Sequence, residues 1–180
     1  MVLTVGKALG VSAIAFRYQN VYGPGQSLSN PYTGILSVFS TRIRNGGNIN
    51  IFEDGKESRD FVFIDDVVSA TVQGIEHEAP VVDAFNVGSG KATDVGTMAQ
   101  MLQHNLGKTV PVAVSGQFRI GDIRHNVADL RKVRAAFGFE PVVSIEAGLR
   151  LFTEWVGSER VQEDRYEESL RELGAKGLLK

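Results

Sequence analysis

Glu53-Asp54-Gly55-Lys56-Glu57-Ser58-Arg59-Asp60-Phe61-Val62-Phe63-Ile64-Asp65-Asp66 is the stretch on which the reading of this 180-residue sequence turns. Asp54-Gly55 marks a turn. The apolar run Phe61 to Ile64 reads as a strand buried on both faces. Asp65 and Asp66 follow where a helix N-terminus favours oxygen acceptors and negative charge, so a helix is expected over 65–78. Arg59 is thereby held on a loop at the mouth of a strand-helix unit. It either grips an anion there or pairs with Asp60 or Glu57 as a structural cation.

Outward from this unit, both flanks repeat the pattern. Upstream, residues 2–9 read as helix stopped by Gly10, and Val11 to Phe16 as a buried strand. Gly23-Pro24-Gly25 then forces a turn at the strand's far end, the edge at which open α/β sheets bind ligands. Ile35, Leu36, Phe39 and Ile43 recur at helical spacing up to Gly46-Gly47. Asn48 to Phe52 alternates as a half-buried strand with Asn48, Asn50 and Phe52 on one face, either a stacking surface or the margin of a core. Downstream, helix 65–78 is expected to turn Val67, Val68, Thr71, Val72 and Ile75 inward. Ala84 to Val87 is a short strand. Gly88-Ser89-Gly90-Lys91 has Phe85 where a phosphate loop needs glycine, so that reading is rejected. Thr93 is expected to cap a helix through Leu106, Val110 to Val114 forms a strand, and Asp129 and Ser144 cap the next two helices. Tyr166, Leu170 and Leu173 form a narrow stripe in a charged tail, suiting a peripheral helix or a frayed end.

Composition narrows the function. Hydrophobic content of 43%, charged content of 22% and a net charge of -2 are ordinary for a globular α/β chain and give no footprint for nucleic acid or a membrane surface. The sequence contains no cysteine, and its three histidines are scattered, so no thiolate site, cysteine nucleophile or metal centre is expected. A cytoplasmic location follows by default. Neither a Gly-rich dinucleotide fingerprint nor a Tyr-x-x-x-Lys pair occurs, and no catalytic residue is assigned.

Four ordered stretches together carry a resemblance: Arg17 to Gln26 (RYQNVYGPGQ), Ser58 to Val67 (SRDFVFIDDV), Phe85 to Gly90 (FNVGSG) and Arg119 to His125 (RIGDIRH). Over about residues 1–158 the chain resembles the C-terminal half of extended short-chain dehydrogenase/reductases, more narrowly the NAD-dependent nucleotide-sugar epimerases and dehydratases. Gln26 to Leu36 is similar to a bacterial subgroup acting on dTDP-sugars. The resemblance implies the C-terminal part of a Rossmann-like NAD(P)-binding fold plus the smaller nucleotide-sugar-binding α/β domain. Residues 1–28 would be the Rossmann remnant, 29–158 the substrate domain with returning Rossmann elements, and 159–180 the charged tail. It also implies a nucleotide-diphosphate sugar (UDP- or dTDP-linked) as ligand, NAD as cofactor and a homodimer in the full-length family, with no nucleic acid or membrane partner.

By the same resemblance Asn20, Arg59 and Arg119 would contact the diphosphate. Phe52 and Asn50 would meet the base, with Leu36 lining that pocket, and Asp122 and Asn126 would lie at the ribose. Tyr18 and Gln19 would border the cofactor. Members of the family carry the NAD fingerprint and the catalytic Tyr-x-x-x-Lys in an N-terminal half, and Met1 falls just after the expected lysine. The chain is therefore expected to be a truncated 4-epimerase half without turnover of its own. The alternatives are a 4,6-dehydratase of the same family and a non-catalytic nucleotide-binding or interaction module.

Overall fold

The computed structural model describes residues 1–30, 32 and 34–180. Pro31 and Thr33, inside the Gln26 to Leu36 stretch compared with the dTDP-sugar subgroup, lie outside the described residues.

Parallel pairs dominate. Helix α1 (Val2–Leu9) ends at Gly10, whose φ of 67° is the left-handed stop that a glycine accepts without strain. Strand β1 (Ala13–Tyr18) runs parallel to β6 (Val82–Val87), with Phe16 opposite Phe85. Strand β2 (Asn20–Tyr22) runs parallel to β5 (Phe61–Phe63), and β3 (Ile49–Ile51) to β8 (Val112–Val114). A small three-stranded sheet has β4 (Ser58–Arg59) at its centre, antiparallel to β7 (Thr93–Asp94) and parallel to β9 (His125–Asn126). Parallel neighbours need crossovers, and helices supply them: α2 (Ile35–Asn45), α3 (Ile64–Ile75), α4 (Val95–Asn105), α5 (Arg131–Phe137), α6 (Ile145–Ser158) and α7 (Tyr166–Ala175).

Two apolar clusters hold these layers. The larger gathers Tyr22, Leu36, Phe39, Ile43, Ile49, Phe63, Met98, Leu102, Leu149 and Phe152 between the β2–β5 pair and helices α2, α4 and α6. The smaller gathers Ala70, Phe85, Val87, Leu130, Val133 and Phe139 beside the β1–β6 pair. Asp66 braces the seam from the start of α3, its buried carboxylate accepting from the N–H groups of Val142 (2.9 Å) and Val143 (3.2 Å).

Several local expectations are corrected. Helix α3 starts at Ile64 and stops at Ile75, and it turns Val67, Ala70 and Gly74 inward. Val68 and Ile75 are 52% and 78% exposed, and Val72 is exposed too. Small residues decide that face. A methyl on Gly74 would stand 2.6 Å from the Phe16 ring, so the helix approaches β1 along its glycine rather than along its valines. Asp94, not Thr93, caps α4, accepting from the Thr97 N–H at 2.7 Å and from the Thr97 hydroxyl at 2.6 Å. Asp129 lies one residue before the N-cap position of α5, held by Leu130, and accepts instead from the N–H of Arg131. Ser144 caps α6 as expected.

Candidate functional site

β4 carries Arg59, and β3 ends beside Phe52. The turn between them bends through Glu53 at φ 46° and Gly55 at φ 79°, which folds β4 back toward the end of β3. The result is a cleft of about 260 Å³ lined by Asn20, Asn50, Phe52, Arg59, Arg119 and Asp122 together with Tyr32, Ile35, Glu53, Glu57, Val95 and Tyr166. Residues from three separated stretches of sequence, expected to act on one ligand, thus share one wall. Leu36 stands apart: it is buried in the larger cluster and borders an adjoining recess with Asn20 and Phe61. Asn126 does not line the cleft either, but lies beside Arg59 in the β4–β9 pairing. Tyr18 and Gln19 sit at the end of β1, outside the cleft.

The two arginines are held differently. Arg59 is pinned. Its guanidinium donates to the carbonyls of Ser58 (3.0 Å) and Arg124 (2.9 Å) and pairs with Asp122 at 3.0 Å, with 16% of the side chain exposed. Neither expected partner, Asp60 or Glu57, takes it. Asp60 points the other way, accepting from Ser89, Gly90 and Ala128. Asp122, expected at a ribose, uses one oxygen on both Arg59 and the N–H of Ile123. Arg119 makes no ion pair among the described residues. Its guanidinium lies over the Phe52 ring, 5.1 Å from the centroid, so a stacked, unneutralised cation faces the cleft. Arg124 turns instead onto Glu53 (2.5 Å) and Asp54 (2.7 Å).

Among the lining residues that the sequence reading did not place at the site are Glu57 and Tyr166. Glu57 precedes Arg59 by two positions, so strand alternation puts both on one face, and that spacing was the available signal. Its side chain is buried, no other residue donates to its carboxylate, and burial pushes the carboxyl up, opposed by its own backbone N–H and reinforced by the nearby charges of Glu53 and Asp54. Tyr166 opens α7, which docks rather than frays. Arg42 lies over its ring at 4.3 Å and also pairs with Asp164 (3.8 Å) and Glu167 (3.1 Å). Beyond α7, Phe118 and Lys180 exchange backbone hydrogen bonds at 2.9 and 3.0 Å, and Arg119 bridges Leu179. Of the two alternatives that the Tyr166, Leu170 and Leu173 stripe left open, the peripheral helix is the one found; its docking partner was not readable from residues 159–180, because Arg42 lies more than a hundred residues earlier.

At the end of β1, the Tyr18 hydroxyl is engaged with the Thr71 hydroxyl at 2.8 Å. The Gln19 carboxamide oxygen is buried without a partner. Among the described residues no helix is long and apolar enough to cross a membrane.

Comparison with known proteins bears on the family and the fold. Residues 1–88 match the model of the NAD dependent epimerase/dehydratase family. The chain is 43% identical over 143 residues to the dTDP-L-rhamnose 4-epimerase of Burkholderia thailandensis, covering 79% of this chain and 39% of that protein. Among solved structures it is similar to the UDP-glucose 4-epimerase of Thermotoga maritima with UDP-glucose. That match has a TM-score of 0.75 at 34% identity and covers 84% of this chain and 48% of the other. It is also similar to a UDP-N-acetylglucosamine 4-epimerase of Methanobrevibacter ruminantium in complex with UDP-N-acetylmuramic acid, with a TM-score of 0.79 at 28% identity, covering 87% and 50%. The chain spans half the length of these relatives or less. On motifs, fold and similarity together, the chain belongs to the NAD dependent epimerase/dehydratase family.

Proposed function

We propose that this chain forms the nucleotide-sugar site of a 4-epimerase that works on a UDP- or dTDP-linked sugar. The observation that carries the reading is the single cleft joining Arg59, Arg119, Asn20, Asn50, Phe52 and Asp122. A diphosphate needs fixed cationic donors, and guanidinium forks supply charge-assisted hydrogen bonds to phosphate oxygens. Arg119, with no carboxylate of its own, is the stronger anchor, and Arg59 shapes the wall through Asp122. Phe52 and Asn50 offer a stacking face and an amide to the base. Holding the nucleotide firmly lets binding energy from the non-reacting part position the sugar.

The family is NAD dependent. Gln19 fits that cofactor, since its buried carboxamide oxygen lacks a donor that a bound amide would provide. Tyr18 fits less well, its hydroxyl being turned to Thr71. When bound, the cofactor supplies reversible hydride transfer.

Titration calorimetry of the 180-residue chain with UDP and dTDP tests the reading. Arg119→Ala is expected to weaken binding by about 1.5–3 kcal/mol, the usual range for a hydrogen bond to a charged group, or roughly ten- to hundredfold in affinity. An affinity for both nucleotides that is unchanged in Arg119→Ala overturns the diphosphate assignment.

A further inference from the structure

Arg119 is the unneutralised cation of the cleft, yet the chain around it has little of its own to hold it. It belongs to no helix and no named strand. Its neighbours Phe118 and Ile120 are 47% and 53% exposed, so their burial does not fix the backbone, and Gly121 turns the chain at φ 84° directly afterwards. What fixes it is the end of the chain. Among the described residues the N–H groups of Phe118 and Ile120 donate to the carbonyls of Lys180 and Leu178, at 2.9 Å each, and Lys180 returns a bond to the Phe118 carbonyl at 3.0 Å. Arg119 faces Leu179 across this pairing.

The tail reaches residues 118–120 by local geometry. After Lys176, the C-cap of α7, Gly177 takes a left-handed φ of 66°. Its N–H bonds the Gly174 carbonyl and the Leu178 N–H bonds the Leu173 carbonyl, both at 2.9 Å, the paired contacts with which a glycine ends a helix and redirects the chain. The start of α7 meets the same arginine. Tyr166 lines the cleft beside Arg119, and although burial pushes its hydroxyl up, the charges of Arg42 and Arg119 pull against that rise. In between, the Tyr32 hydroxyl donates to Glu172. The motif resemblance ends near residue 158 and gives this segment no role.

We propose that residues 177–180 are a positioning strand for Arg119, so that the C-terminal tail sets the affinity of the cleft for a nucleoside diphosphate. This rests on the cleft being a nucleotide site. A segment already paired has lost its conformational freedom before the ligand arrives, whereas a free one loses it on binding and weakens the complex.

The experiment is titration calorimetry with UDP at 25 °C on the full chain, on a chain ending at Lys176, on Arg119→Ala and on the two changes combined. Removal of residues 177–180 leaves α7 and its Arg42 contacts in place. It is expected to weaken UDP binding about tenfold or more, the scale of a hydrogen bond to a charged group. Arg119→Ala is then expected to cost the shortened chain less than about twofold further, because the two changes remove one interaction. A tail that acted only through stability would leave the Arg119→Ala effect at full size. Gly177→Val, a β-branched residue at a left-handed φ, keeps the length and is expected to act in the same direction. It decides the matter if melts show the shortened chain unfolded at 25 °C. An affinity within about twofold of wild type in the folded variants overturns the proposal. So does an additive Arg119→Ala effect, and so does loss of the fold in both tail variants, which assigns the tail to stability. Arg119→Ala that weakens binding while the tail variants do not leaves the diphosphate reading standing and removes this one. Arg119→Ala without effect, or no UDP binding by wild type, overturns both.

Discussion

Asp60→Ala is expected to cost the fold about 3 kcal/mol or more, although Asp60 does not line the cleft. Its carboxylate is 1% exposed and accepts four hydrogen bonds: from the N–H and hydroxyl of Ser89 at 2.7 Å each, and from the N–H groups of Gly90 and Ala128 at 3.0 Å each. Gly88 permits this approach, since a Cβ there would collide with the Asp60 carboxylate. Alanine leaves three backbone donors without an acceptor, that of Ala128 buried and those of Ser89 and Gly90 part-buried, so the low end of the range applies. At about 1–3 kcal/mol per orphaned donor, the low end alone gives roughly 3 kcal/mol. For a chain of this length that is a fall of roughly 6–12 °C in Tm, and a large fraction of the ~5–15 kcal/mol that holds a domain together. Asp60→Asn keeps the volume but turns amide N–H groups against two of the donors, so about half the loss or more is expected. Urea unfolding followed by far-UV circular dichroism at 25 °C measures both. Unfolding of either variant within about 1 kcal/mol of wild type, with an unchanged m value, contradicts this role for Asp60.

Two further outcomes follow from single contacts. Gly148→Ala drives a methyl into the Tyr22 hydroxyl, and overpacking of about 1–3 kcal/mol is expected to outweigh a helix-propensity gain of about 1 kcal/mol; a melting point at or above wild type contradicts this. Asp94→Ala removes the cap of α4 and is expected to cost about 0.5–2 kcal/mol at neutral pH. The Thr97 hydroxyl, then the Thr97 N–H, hold the Asp94 carboxyl below its ordinary value. Its contribution is therefore present above the unfolded-state pKa and fades as pH falls through the lower folded-state value. The gap between wild type and Asp94→Ala in melts recorded from pH 7 downward is expected to narrow below about pH 4; a gap that widens there refutes the assignment.

How much of this was legible beforehand depends on whether the deciding interaction is local. Helix stops at Gly10, Gly46 and Gly138 were readable, because a left-handed residue is a property of one position. The alternation that puts Asn50 toward the cleft between buried Ile49 and Ile51 was readable for the same reason. The inward face of α3 was not. Five apolar positions around that helix admit more than one stripe, and a glycine beneath Phe16 chose between them. Asp60 and Glu57 flank Arg59 closely in sequence yet face away from it or stand unpaired, because the acceptors of Arg59 come from residues 122 and 124. The motif resemblance brought most of the cleft's polar residues together. It was silent on Tyr166, whose burial is set by Arg42 from another helix.

The pairing of residues 178–180 with 118–120 has a practical side for anyone handling this protein. A peptide appended after Lys180 leaves the chain next to Arg119, at the rim of the cleft, where a polyhistidine or acidic epitope would compete for the same cation. Met1 is fully exposed and immediately precedes α1, which packs on β1 instead. Purification handles therefore belong ahead of Met1. A fluorophore after Lys180, a poor choice for a silent label, is well placed to report on what enters beside Arg119.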